Sequence, residues 1–231
     1  MAEPTSLREA RDASIGAVDL KIMRKATQLF ATRGFHAVGI RAIASECDLS
    51  LSSLYHYMPS KDHLLERIMS TTQEVFLAEA RKVYVEHRDP VENLAAIVTL
   101  NIAFHIRSPL TTRVNEYEMD SLSADARGRI ITLRDGYDAL WDSLIQSGTD
   151  SGLFVVENPR ITRIALLGMF AQVVSWYSSD GPLTVDDVCL IYIRMAFKLL
   201  GVPTERQGAG TALLEQFDLC GPTTIFIAEP R

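Results

Sequence analysis

Apolar residues recur along this chain at helical spacing almost from end to end. Between residues 19 and 33, Ile22, Ala26, Leu29 and Phe30 form one stripe at i, i+4, i+7 and i+8, and Gly34 follows as a stop. A second, short helix over about 40–47 places Ile40, Ile43 and Ala44 on one side. Asp48, Leu49 and Ser50 interrupt it, and Ser50 is set to cap a third short helix over 51–57. Pro59 ends that helix, and Ser60 caps a long one whose period runs through Leu64, Leu65, Ile68, Met69, Phe76, Ala80 and Val83 to about residue 88.

Start signals then repeat. Asp89-Pro90, Ser108-Pro109 and Asn158-Pro159 each read as an N-cap followed by proline at the first helical position. Ser123 and Thr184 cap two further helices. The helices predicted are 89–107, 109–117, 123–152, 159–177 and 184–200, the last stopped by Gly201 and Pro203. After Val202 the chain is rich in Gly, Pro and Thr, with a short helix at 212–217 and a strand-like run at 223–228 too short for a sheet. The expected fold is therefore all-α, with about nine helices. Its expected divisions are an N-terminal arm over 1–18, a three-helix head over 19–65, a larger helical body over 66–201 and a tail over 202–231.

Composition narrows the class. The chain has 231 residues, 47% hydrophobic and 23% charged, which suits a globular protein and excludes disordered and collagen-like chains. No run of about 18 uncharged apolar residues is present, and Met1-Ala2-Glu3-Pro4-Thr5 has no basic segment leading into an apolar one. Neither a membrane partner nor secretion is expected. Cys47, Cys189 and Cys220 are far apart, fit neither a disulfide framework nor a zinc site, and suit a reducing, cytoplasmic setting. The net charge of -6 hides an asymmetry: residues 20–67 hold 7 Lys/Arg against 4 Asp/Glu, whereas 68–231 hold 14 against 21. A basic head on an acidic body is the pattern expected when only the head meets phosphate.

Residues 35–65 carry that expectation further. Three short helices with a tight turn between the second and third match a helix-turn-helix, whose second helix enters the major groove. That helix offers Ser50, Ser52, Ser53, Tyr55, His56 and Tyr57, and no Asp or Glu. Hydroxyl, imidazole and phenol groups hydrogen-bond to phosphates and base edges without charge repulsion. Lys61 opens the next helix beside them. Periodicity alone leaves a second reading open, in which Tyr55 and Tyr57 are half-buried packing residues.

The run Leu49-Ser50-Leu51-Ser52-Ser53-Leu54-Tyr55-His56-Tyr57-Met58-Pro59-Ser60-Lys61-Asp62-His63-Leu64-Leu65, with Gly34-Phe35 and Ile43-Ala44, closely resembles the N-terminal domain of TetR-family transcriptional regulators. The resemblance implies a homodimer on a palindromic double-stranded DNA operator, usually a repressor released by a small ligand. Ser52 stands where the family has glycine and Met58 where it has Phe. Gly39-Ile40 replaces the usual phosphate-touching Thr, a role Arg41 is expected to fill. The expected DNA contacts are thus Arg41, Ser50, Ser52, Ser53, Tyr55, His56, Tyr57 and Lys61.

The body resembles, more faintly, the actinobacterial subgroup of this family that controls steroid and fatty-acid catabolism. The resemblance rests on Trp141-Asp142-Ser143-Leu144, Gly152-Leu153-Phe154, Trp176-Tyr177 and Gly181-Pro182-Leu183-Thr184. Regulators of that subgroup tend to respond to acyl-CoA thioesters, so the expected effector is acyl-CoA-like or a small hydrophobic molecule. Its candidate contacts are Phe104, His105, Asn115, Tyr137, Trp141, Phe170 and Trp176, although aromatics at helical spacing serve equally as core. No Lys or Arg lies between Arg163 and Arg194, so cations for CoA phosphates fall to Arg107, Arg113, Arg127, Arg129 or Arg134. The helix at 160–177 is apolar nearly all round, and it and the last long helix are expected to pack against a twin subunit.

An enzyme is the competing class. The chain has no G-x-S-x-G, G-x-G-x-x-G, P-loop or H-E-x-x-H motif, and its five histidines are scattered without metal-ligand spacing. No catalytic residue, metal or cofactor is expected. A helical partner-binding protein without DNA affinity remains the second alternative, separable from a repressor by a gel shift.

Overall fold

The computed structural model describes residues 5–208, with side chains from residue 16 onward. The tail elements expected at 212–217 and 223–228 lie outside the described residues. Among these residues there are ten α-helices, two short 3-10 turns and no strand: α1 (Thr5–Arg33), α2 (Ile40–Glu46), α3 (Leu51–Tyr57), α4 (Lys61–Val83), α5 (Pro90–Arg107), α6 (Pro109–Tyr117), α7 (Ala124–Asp150), α8 (Pro159–Ala171), α9 (Val173–Trp176) and α10 (Val185–Leu199).

The caps read from the sequence are made. Ser50, Ser60, Ser123 and Asn158 each accept from a backbone N–H three residues on, and Asp89 accepts from Val91. Thr184 and Asp187 form a reciprocal capping box. Gly34 ends α1 with φ +80°, and Gly201 follows α10 with φ +67°.

Two boundaries differ from expectation. Helix α1 begins at Thr5, not near Asp19, so the segment expected as an arm is helical from Thr5. Leu7, Arg8, Glu9, Ala10, Arg11 and Ala13 are good helix formers but make no apolar stripe, so periodicity gave no sign of them. The expected helix 159–177 is split at Gln172, whose carbonyl accepts both the backbone N–H (3.0 Å) and the hydroxyl (2.7 Å) of Ser175. Such back-bonding by serine competes with the helical ladder.

The described chain has two cores. The head core gathers Ile22, Ala26, Phe30, Phe35, Val38, Ile43, Leu54, Met58, Leu64, Leu65 and Ile68, all almost completely buried. The body core gathers Ala80, Leu94, Ile97, Val98, Trp141, Leu144, Phe170, Ile193 and Phe197. Helix α4 serves both: Leu64, Leu65, Ile68 and Met69 enter the first, Phe76, Leu77 and Ala80 the second. At 1.5 Å per residue its 23 residues make a strut of roughly 35 Å. Fourteen of the 18 residues of α5 are buried, so α5 is the central helix of the body.

Close approaches fix the body helices. A Cβ on Gly148 would lie 2.0 Å from the Phe154 ring, so glycine is what lets the loop after α7 fold back onto it. Among the described residues no single helix is long and apolar enough to cross a membrane.

Candidate functional site

The helix-turn-helix is built on buried apolar contacts and presents polar groups outward. Leu54 and Met58 of α3 are buried at 0% and 1% exposure. Ser52, Ser53, Tyr55 and His56 point away from the core and are exposed, while Tyr57 is half-buried against it. Of the two readings open for the tyrosines, Tyr55 takes the surface one, at 50% exposure, and Tyr57 lies between them. The Ser50 hydroxyl caps the Ser53 N–H at 3.1 Å and lies 2.9 and 2.8 Å from the Ser52 and Ser53 hydroxyls. Ser52 therefore fits in the helix where the family carries glycine. Arg41 is exposed at the second position of α2.

Electrostatics on this face favour an anion. Its turn carries Glu46 and Asp48, the latter at φ 57°, a left-handed conformation that Asp tolerates. Lys21 pairs with Asp48 at 2.9 Å and Lys25 with Glu46 at 3.4 Å, both from α1. The Lys21 hydrogen bond and charge hold the Asp48 carboxyl below its ordinary pKa. These exposed pairs contribute little to stability but neutralise the two acids at the turn before α3.

Lys61 is placed differently from expectation. Its ammonium donates to the carbonyls of Phe35 and Val38, both at 2.9 Å, and stands 4.1 Å from the centre of the Phe35 ring. It braces the loop between α1 and α2, and of its three N–H groups one remains for a phosphate.

Helix α6 joins head to body. Val114, at 0% exposure, packs in the head core although it lies in the body segment. Just beyond α6, Glu118 accepts the Phe35 N–H at 2.9 Å and the Ser121 hydroxyl at 2.8 Å. Arg129 of α7 pairs with Glu66 of α4, and Arg67 makes a two-pronged pair with Asp19 of α1. The same α6 turns its other side to a cavity of about 410 Å³ between α4, α5, α7 and α8.

The cavity wall is apolar at Phe76, Phe104, Ile164, Leu167 and Ala171. Polar groups are set into it in bonded pairs. Asn101 donates to the Ile97 carbonyl at 2.8 Å and to the Tyr137 hydroxyl. Gln73 donates to Asn115 at 3.1 Å, and Arg134 to the Asn115 carbonyl at 2.6 Å. His105 Nδ1 lies 3.4 Å from the Thr112 hydroxyl. Burial lowers the His105 pKa to about 4 and pushes the Tyr137 phenol far up, so both are neutral near pH 7. Burial also raises the Asp138 carboxyl, against the opposing charge of the deeply set Arg163 3.2 Å away.

Of the expected ligand residues, Phe104, His105, Asn115 and Tyr137 line this cavity. Trp141 and Phe170 do not: both are at 0% exposure in the body core, their ring centres 6.0 Å apart. Trp176 is at the surface, 49% exposed and stacked on Tyr192 with an 8° angle between rings. Of the candidate cations, Arg134 reaches the wall, whereas Arg127 pairs with Asp120 and Arg129 with Glu66. Thr72, Gln73, Asn101, Thr112 and Asp138 were not among the expected residues. Thr72 stands four residues from both Ile68 and Phe76, and Asn101 four from Ile97 and His105. A polar residue inside an apolar register was the signal available.

A row of apolar side chains on α8 and α10 faces outward: Ile161, Ile191, Met195 and Leu199 are 41–63% exposed. The i, i+4, i+8 spacing on α10 makes it a continuous stripe.

Two family models match the chain. "Bacterial regulatory proteins, tetR family" covers residues 22–68, and "Tetracyclin repressor-like, C-terminal domain" covers residues 87–200. Among curated proteins, the HTH-type transcriptional repressor KstR2 of Rhodococcus jostii RHA1 is 27% identical over 180 residues, 77% of this chain and 88% of that protein. Among solved structures, a tetR-family regulatory protein from Rhodococcus RHA1 superposes with a TM-score of 0.76 at 22% identity, over 80% of this chain and 98% of that one. AibR in complex with isovaleryl coenzyme A and operator DNA superposes at 0.72 with 23% identity, over 78% and 98%.

Proposed function

The chain belongs to the TetR family of bacterial transcriptional regulators, and from that premise we propose that it is a cytoplasmic repressor of genes near its own. It is a DNA-binding, ligand-responsive regulator, not an enzyme. In this reading it acts as a homodimer on a palindromic operator and leaves it when a small effector fills the body cavity. The observation that carries the reading is α6, which lines the cavity with Thr112, Asn115 and Glu116 and inserts Val114 into the head core.

DNA contact falls to the outward face of α2 and α3. Ser52, Ser53, Tyr55 and His56 meet base edges and nearby phosphates; Arg41, Ser50 and Tyr57 meet the backbone. Lys61 acts chiefly by bracing the α1–α2 loop, with one N–H left for phosphate. Two such helices in a dimer sit about 34 to 36 Å apart, or somewhat more, to reach successive major grooves. The exposed stripe on α8 and α10 supplies the isologous interface.

The effector is largely apolar. The wall carries Glu116 and Asp138 against the single Arg134, so the cavity has no surplus of positive charge for a triphosphate-like group. A CoA thioester in this reading inserts its acyl part and leaves its nucleotide outside. KstR2 is a repressor, and AibR was crystallised with an acyl-CoA and an operator. These support an acyl-type effector here, with an uncharged lipid as the rival. To act, either ligand must bind the DNA-incompetent state better, and a tenfold loss of operator affinity requires about 1.4 kcal/mol of differential binding.

The test is a gel shift with DNA flanking the gene, at 50 to 200 mM salt, with acyl-CoAs and the matching free lipids titrated in. A complex weakened steeply by salt and released by one of the two classes supports the reading. A protein that shifts no flanking DNA contradicts it.

A further inference from the structure

A second cavity, of about 300 Å³, lies where α5 ends, α6 begins and the chain leaves α9. Ile106, Pro109, Val174 and Tyr177 give it an apolar side, and the exposed Ser178 and Ser179 add hydroxyls where it opens to solvent. No Asp, Glu, Lys or Arg lines it. It shares one residue with the larger cavity, His105. The imidazole is 8% exposed, packs 5.3 Å from the Phe104 ring and is held 3.4 Å from the Thr112 hydroxyl. His105 thus lies on the wall of both cavities, and its tether is on α6, two residues from Val114 in the head core.

We infer that the smaller cavity is a second effector subsite and that His105 is its gate. An elongated, uncharged, mostly apolar molecule fills the larger cavity first. Its far end enters the smaller one only by turning the imidazole away from Thr112. That second step, and not occupation of the larger cavity, displaces α6 and weakens DNA binding. The inference rests on the reading of the chain as a ligand-released repressor. An ionic end gains nothing in the smaller cavity, since no charged side chain lines it to pair with. A chain longer than the larger cavity reaches the smaller one past His105, which lines both.

The probes are 2-alkanones of about 8 to 16 carbons, delivered from cyclodextrin to the full-length protein bound to its operator. Binding is read by titration calorimetry and release by anisotropy of labelled operator. Short chains are expected to bind while changing operator affinity less than about twofold, and the longest to weaken it about tenfold or more. His105→Ala joins the cavities and removes the tether, so long chains should bind about fivefold more tightly yet release the operator less than threefold. Thr112→Val keeps the side-chain shape and the imidazole but not the tether. It should move both readouts the same way, and it serves if His105→Ala does not fold. Release that tracks binding at every chain length overturns the gate, as does a parallel loss of both in His105→Ala. If no 2-alkanone binds, the ligand class is wrong. If the protein binds no operator at all, the repressor reading itself fails, and the gate with it.

Discussion

In the head, Leu54, Met58, Ile43 and Phe35 close a core around two short helices, and every cap and turn serves one shape. In the body, Asn101, His105, Thr112 and Asn115 are buried at apolar-register positions and bonded in pairs around open space. Helices α4 and α6 belong to both regions. The contrast separates rigidity from responsiveness. A surface that must fit a groove is held by packing, which has one solution. A cavity lined by paired polar groups has alternatives, because a ligand can replace one partner in each pair. A regulator needs the second to act on the first, and α6 is where they meet.

The strongest way to break the comparison is to separate the subunits, since the head's fit to DNA in this account depends on the body's pairing. Ile191→Glu with Met195→Glu places two charges on the exposed stripe of α10, where a stable interface would bury at least about 1,600 Å². Sedimentation should show a monomer, and operator affinity should fall a hundredfold or more. A double variant that stays dimeric would place the interface elsewhere.

Acid should strike the body before the head. His105 is neutral with its pKa near 4, whereas the unfolded chain takes up this proton near 6.5. The stability it permits is complete above about pH 6.5 and is lost as the pH falls towards 4, by about 3 kcal/mol. The urea midpoint of the wild type should fall as the pH drops across that window, and a plot of stability against pH should be steep there. The plot should flatten in His105→Gln, which has no proton to take up. Equal slopes in the two proteins contradict this assignment.

Val114→Ala sharpens the claim that α6 completes the head core. The lost methyl groups and the cavity left behind should cost about 2 kcal/mol by chemical denaturation. Operator affinity should fall even without ligand, because the head is loosened. A stable variant with normal DNA binding would mean the two regions are independent.

The smallest effects belong to single DNA contacts. Tyr57→Phe should weaken operator binding up to about tenfold, similarly for all sequences, because a phosphate contact carries no sequence information. Tyr55→Ala should alter sequence preference as well. Competition between operator variants measures both, and identical rankings for wild type and Tyr55→Ala would remove Tyr55 from base readout.

Most of the head was legible in the sequence because its signals are local. Ser50 and Ser60 mark helix starts, and the ordered run from Leu49 to Leu65 fixes the motif. Lys61 was read as a phosphate ligand, since its two carbonyl partners on Phe35 and Val38 lie 23 to 26 residues away. The cavity was legible only in part, because a periodic stripe shows which residues face inward but not where packing leaves space. Phe104 and Tyr137 reach the cavity, while Trp141 and Phe170, read in the same way, close the core beside it. The helix at 160–177, apolar nearly all round, is the one expected to pack against both the core and a twin subunit, and within one chain Leu166 and Phe170 of α8 are buried while Ile161 is exposed.

The central claim is that α6 carries the effector's signal to the head, and Glu118 at its C-terminal end is a direct polar link, accepting the Phe35 N–H at 2.9 Å. Replacing it by Ala removes that contact without touching the cavity wall. The decisive measurement is a titration of operator complexes with a releasing effector, in wild type and Glu118→Ala, alongside calorimetric ligand affinity. The account predicts unchanged ligand affinity, with release reduced from tenfold or more to under about threefold. Full release by Glu118→Ala at the wild-type ligand concentration would contradict it.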